Sequence, residues 1–361
     1  MHLEGRGHVA ESEIDEILAA IRDQWSSMLG MAGMFTASIL IGVFIQPFYN
    51  FDNLRAFGEE GSTEAGNVLI ELIMIFVFTI GVIYLARKGL EVVIKAIVFL
   101  ALGYSLLIAI DPILAIPMVF LELGGDWNYV RVALSLSLAI GLMRLLHKFP
   151  EWYVVNTIGV LVGSGVIVML GITFVPVLII LFMVLAAIYD HWAVNKSKHM
   201  LELADTMIGL KLPVLLVAPK DSSYTFLEQE ADVMERSEPP EPVEGHPQRP
   251  RTRDALFMGL GDVIFPGMLV ISSITFLPDY GTEVFHFWGE PHKPVYSGAM
   301  LVGMGTLVGG LFGYAALMTQ VARGKPQAGL PLLNGGSILG YLISGSILIG
   351  PSNLWQEISF L

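Results

Sequence analysis

Nine stretches of this chain, residues 28–48, 67–86, 92–120, 128–146, 153–171, 173–194, 254–277, 296–321 and 328–350, are apolar almost throughout. About 20 such residues in a helix cross the roughly 30 Å of hydrocarbon in a bilayer. In lipid each backbone N–H and C=O must be satisfied without water, which commits every stretch to helix. The expected fold class is an all-α membrane protein with nine transmembrane helices. The third stretch is overlong and contains Asp111-Pro112, so a kink or an early end is expected there. The fifth and sixth are joined only by a tight turn, "GITFVP".

Orientation follows from where the basic residues fall, because Lys and Arg accumulate on the cytoplasmic side. With the N-terminus inside, that side holds 17 of them and the other side only Arg55, Arg131 and Lys293. The N-terminus is therefore expected in the cytoplasm and the C-terminus outside. No basic stretch followed by an apolar core opens the chain, so no cleaved signal peptide is expected. Residues 1–27 read instead as an amphipathic helical segment, with Ile14, Ile17, Leu18, Ile21 and Trp25 at helical spacing.

Spans one to six fill residues 28–194, and spans seven to nine fill 254–350, with a tail at 351–361. Between them lies a cytoplasmic loop, 195–253. Within it "VLLVAP" (214–219) has the look of a strand, and 228–253, rich in Glu, Pro and Arg, that of a disordered segment. Only 15% of residues are charged, and the mean hydropathy is +0.66. The net charge of −13 argues against nucleic acid as a partner, since little is basic enough to neutralise phosphates. The absence of cysteine excludes disulfides and thiolate chemistry. The acids gather outside the spans, which suits a high-salt cytoplasm and a halophilic source.

A carboxylate inside a span is costly and is by default a functional candidate. Glu71 lies near the outer start of span two and Asp111 near the far end of span three, both suited to structural roles. Asp190 in "LAAIYDHWAV" and Asp262 in "MGLGDVIFPG" differ. The two sit at matching depth from the cytoplasmic edge of antiparallel spans six and seven. Two adjacent carboxylates hold one proton between them. The ionised one can then take a proton from water while the other donates to a scissile carbonyl oxygen. Gly259 and Gly261 would let a backbone approach, and Tyr189 could supply a hydroxyl. The same spacing also suits cation binding, a proton relay in a leak channel or transporter, or a structural pair. Gly305, Gly309 and Gly313, and likewise Gly159 and Gly163, are spaced for close helix packing. No metal-ligand spacing occurs, His191 reads as an interfacial residue, and no cofactor is implied.

"YD" (189–190), "GLGD" (259–262) and "GLPLLNGG" (329–336), in spans six, seven and nine, resemble the GxGD intramembrane aspartyl proteases, the group of presenilin and signal peptide peptidase. "PEWYVVNTIGVL" (150–161), "KSKHMLELADTMIGLKLPVLLVAPK" (196–220) and "PQAGLPLLNGG" (326–336) look most like archaeal presenilin homologues. The inside-to-outside orientation is similar to presenilin and opposite to signal peptide peptidase. The resemblance implies an intramembrane endopeptidase acting on single-span membrane proteins or peptides within the lipid bilayer. Asp190 and Asp262 would be its catalytic pair. Pro331, Leu332 and Leu333 would stand where the family has Pro-Ala-Leu, a segment that contacts the substrate backbone, with Leu332 bulkier than the family's alanine. Substrate contacts would come from Tyr189, Gly259, Leu260, Gly261 and the three residues 331–333. Leu216 would join them if the 214–219 edge pairs with an unwound substrate as an added strand, the backbone around 329–333 being the other candidate edge. Assembly as a homo-oligomer stays open.

Overall fold

The computed structural model describes residues 4–122, 125–192, 215–221, 224–225, 255–285, 293–321 and 328–359. They are mostly helical: α1 (Glu4–Tyr49), α2 (Ala65–Arg87), α3 (Glu91–Phe120), α4 (Trp127–Lys148), α5 (Trp152–Gly171), α6 (Pro176–Trp192), α7 (Leu260–Phe276), α8 (Ser297–Val321) and α9 (Leu330–Leu348). Among the described residues, seven helices are long and apolar enough to cross a membrane. The two others, α6 and α7, are equally apolar but have 17 residues each, about 25 Å at 1.5 Å per residue. These two shorter helices carry Asp190 and Asp262.

The amphipathic stretch runs into the first span without a break, as one helix of 46 residues. Ile21 packs against the core while Trp25 stays exposed; the side chains of Ile14, Ile17 and Leu18 lie outside the described residues, as does the whole of 228–253. Helix α3 does not end at Asp111-Pro112 but continues to Phe120. Asp111 is satisfied from outside its own helix, by an ion pair with Arg131 at 3.1 Å and a hydrogen bond from the Ser135 hydroxyl at 2.9 Å. The Arg131 guanidinium also lies 5.3 Å from the Phe48 ring, which joins α1, α3 and α4 around one charge pair. Helix α2 exposes Ile73, Phe76 and Val77, apolar surface suited to lipid, whereas α5 and α7 are the buried centre of the bundle.

One boundary departs from the sequence expectation. Residues 255–259 are not the start of a span: β1 (Leu215–Pro219) pairs antiparallel with β2 (Ala255–Gly259), with Leu216 opposite Met258 and Val217 opposite Phe257. Helix α7 starts only at Leu260. A buried apolar strand and a buried apolar helix turn cannot be told apart by periodicity, and β1 supplies β2 with its hydrogen bonds. A second strand pair, β3 (Glu283–Phe285) with β4 (Val295–Tyr296), lies between α7 and α8. The fold is thus mostly helical rather than all-α.

Helices α8 and α9 approach backbone to backbone. A Cβ at Gly309 would lie 2.7 Å from the Gly340 Cα and nearer still to the Gly336 carbonyl oxygen. Backbone cannot swing aside as a side-chain tip can. Gly309→Ala is expected to separate the helices and cost about 1–3 kcal/mol, as overpacking does. Thermal unfolding in detergent would show it as a lowered Tm. Gly141→Ala, whose new methyl meets nothing within 4 Å, should be neutral or slightly stabilising. Equal Tm values for the two variants would contradict the close approach.

Candidate active site

The two aspartates sit at the same end of the bundle because α6 ends where α7 begins. Asp190 is two residues from the C-terminus of α6, and Asp262 is in the first turn of α7. Gly259 closes β2 in extended conformation (φ −63°, ψ 142°) and serves as the N-cap of α7. The third helical residue after an N-cap is placed to reach back to the cap's own N–H. Asp262 does so, accepting a hydrogen bond from the Gly259 backbone. The strand-to-helix switch in "GLGD" therefore sets the carboxylate's orientation directly.

The start of α9 closes over both carboxylates. The Leu330 N–H donates to Asp190 Oδ2 at 3.2 Å. One residue earlier, the vacant Cβ position of Gly329 lies 2.9 Å from Asp262 Oδ1. Asp190 is near enough for its charge to act on Asp262. Each carboxylate faces the amides of a helix N-terminus, Asp262 that of α7 and Asp190 that of α9, and such ends stabilise negative charge. Both aspartates are half-buried. Behind them, Asn334 Nδ2 donates to the Met183 carbonyl at 2.9 Å, and the Phe182 and Phe265 rings meet at 5.4 Å. Helices α6, α7 and α9 are thereby tied together one to two turns from the pair.

The remaining candidates divide by where they lie. Gly259 and Gly261 adjoin Asp262, and above Gly261 a Cβ would meet only the Phe265 ring edge, at 4.0 Å. Pro331 and Leu332 are half-buried in the first turn of α9; Leu332 packs on the core cluster, and Leu333 is fully buried in it. Tyr189 is largely exposed, with its ring 6.3 Å from Trp192. Leu216 and Leu260 are both buried and turn toward α5, where Gly159 leaves room for the two side chains. Among the described residues, no group of three or more His, Asp or Glu is placed to hold a metal ion.

Two contacts were not anticipated. Gly329 and Leu330 touch the aspartates, although the motif that begins with them pointed to 331–333 for side-chain contacts and to the backbone of 329–333 only as a substrate-pairing edge. The signal was a glycine directly before a helix start. Asn156, in the first turns of α5, grips the backbone of β1: its Nδ2 donates to the Val217 carbonyl at 2.6 Å, and its Oδ1 accepts from the Val217 N–H at 2.8 Å. A lone amide in the apolar run "WYVVNTIGVL" was the available clue.

The chain is similar to known proteins over most of its length. Residues 32–349 match the family described as signal-peptide peptidase, presenilin aspartyl protease. Two solved structures of a presenilin family intramembrane aspartate protease, in C222 and P2 space groups, are each 28% identical to this chain. Each comparison covers 90% of this chain and 99% of the other, with TM-scores of 0.55 and 0.57. No curated protein sequence matches.

Proposed function

Since the chain belongs to the signal-peptide peptidase, presenilin aspartyl protease family and is a multi-pass intramembrane aspartate protease, we propose that Asp190 and Asp262 are its catalytic pair. The observation that carries this is the convergence of both carboxylates on Gly329 and Leu330. We further propose that α6 and α7 also cross the bilayer, giving nine spans with the N-terminus cytoplasmic and the C-terminus outside. Substrates would be single-span membrane proteins or peptides.

The chemistry follows from one shared proton. The ionised aspartate removes a proton from water as the water oxygen attacks the scissile carbonyl carbon. The protonated aspartate donates to the carbonyl oxygen, so a neutral tetrahedral diol forms. Proton transfer to the amide nitrogen then lets the C–N bond break, and the pair regains its single proton. Purified protein incubated with a single-span substrate in detergent, with fragments read by mass spectrometry, tests this reading. Ion flux that depends on the same aspartates, without any fragments, would favour a leak channel instead.

A helical scissile amide hides its carbonyl in its own hydrogen bonds, and unwinding it in lipid strands those groups. Strand addition satisfies them, and among the described residues the sheet has one edge suited to it. In an antiparallel ladder a residue's N–H and C=O point to the same side. Val217 gives both groups to Asn156, so it is turned away from β2, and Phe257 opposite it is turned away from β1. The outward edge of β2, at Ala255 and Phe257, leads straight to Gly259 and Asp262. The candidate docking edge thus moves to β2 from Leu216 and β1, and from the backbone of 329–333, which is taken up by the start of helix α9. Phe257→Pro removes an outward N–H that β1 does not use. The expected result is a tenfold or larger rise in KM, on the order of one lost backbone bond in lipid, with Tm lowered only by the lost packing of the half-buried Phe257 ring. Normal KM in the folded variant would exclude pairing at Phe257.

A further inference from the structure

We propose that Asn156 is a positioning residue that stands in for a third strand and so sets which substrate bond meets the aspartates. This rests on the reading that substrate adds to the outward edge of β2.

A carboxamide offers one donor side and one acceptor side, the pair that a neighbouring strand would present to Val217. Asn156 presents both, at 2.6 and 2.8 Å, from the rigid first turns of α5. The same outer edge of β1 is tied once more, to α1, and an ion pair just past the strand adds to that hold. The Ser27 hydroxyl donates to the Pro219 carbonyl at 3.0 Å, and Lys220 pairs with Asp23 at 2.6 Å. The outer edge of β1 is therefore taken by side chains of two helices.

The consequence is geometric. Ladder pairing passes the position of Val217 to Phe257. Two residues further along β2, about 7 Å, Gly259 is held by the Asp262 carboxylate. The position of the substrate-bearing edge along the strand axis is thus referred to α5 at one point and to Asp262 at another. A buried amide one turn inside an apolar helix is costly unless its bonds are made. Here they are made to a strand that leads to the reacting centre.

The test compares the wild-type chain with Asn156→Ala and Ser27→Ala on one single-span peptide in detergent, measuring cut positions, kcat, KM and Tm. Loosening the sheet should leave the aspartates in place but let the substrate slide. Asn156→Ala is expected to scatter cleavage over neighbouring bonds and to lower kcat/KM about tenfold, since misplacement near 1 Å can cost up to a hundredfold. Ser27→Ala, which loses one bond, should scatter the cuts less, and it decides the matter if Asn156→Ala does not fold. A purely structural role would lower activity in step with the folded fraction and leave the cut positions unchanged. That pattern in the folded variants would overturn the inference while leaving the protease reading intact. A wild-type chain that cuts nothing would overturn the protease reading, and the inference with it.

Discussion

Asparagine at either Asp190 or Asp262 is expected to lower cleavage by about 10²–10⁴-fold, the range typical of lost acid–base catalysis. Asparagine keeps the shape and most hydrogen bonds of aspartate, so both variants should fold. It cannot hold or release the shared proton, however, and each change removes the whole unit. The double variant should therefore be no worse than either single one, as with residues that act together. Activity against pH should be bell-shaped in the wild type, because full protonation leaves no base and full ionisation leaves no acid. Its two limbs would belong to the pair and not to single residues. The measurements are initial rates of fragment release and a pH profile for wild type, with Tm as the folding control. A structural ion-binding pair predicts the reverse: lowered Tm and residual activity that follows it. Substantial cleavage by folded Asp190→Asn would remove Asp190 from the mechanism.

How much of this site was legible beforehand depended on which interactions lie along the chain and which lie across it. The apolar spans, the turn "GITFVP" and the opposed directions of α6 and α7 are consequences of local composition and chain order. Asp190 and Asp262 stood out because an uncompensated carboxylate in a span is expensive. The strand character of 255–259 did not stand out, since its pairing partner lies in a distant part of the chain and its side chains are as apolar as a helix would need. The cover of Gly329 over Asp262 was hidden for a similar reason. A glycine before a helix advertises a turn, and only the crossing of α7 and α9 shows that its missing side chain makes room for a carboxylate. Asp111 was legible as structural, but its partners Arg131 and Ser135 required the α3–α4 contact.

That missing side chain leads to the second large effect. Gly329 has φ −75° and ψ −44°, a conformation open to any residue, so alanine there carries no backbone strain. The cost is confined to one neighbour. The new methyl would lie 2.9 Å from Asp262 Oδ1 and 3.1 Å from both Cγ and Oδ2. The carboxylate, or the start of α9 with its N–H on Asp190, must yield about 0.5 Å or more to reach ordinary contact. A displacement of that order should reduce kcat about 10- to 100-fold. Tm should be unchanged or slightly raised, because alanine narrows the unfolded ensemble. Gly335→Ala in the same helix, with nothing within 4 Å of the new methyl, is the matched control and should keep full activity. Loss of kcat in Gly329→Ala alone, at constant Tm, separates displacement of the reacting group from damage to the fold. Equal kcat in the two variants would mean that α9 does not rest on Asp262, and the convergence on which the catalytic assignment stands would fail with it.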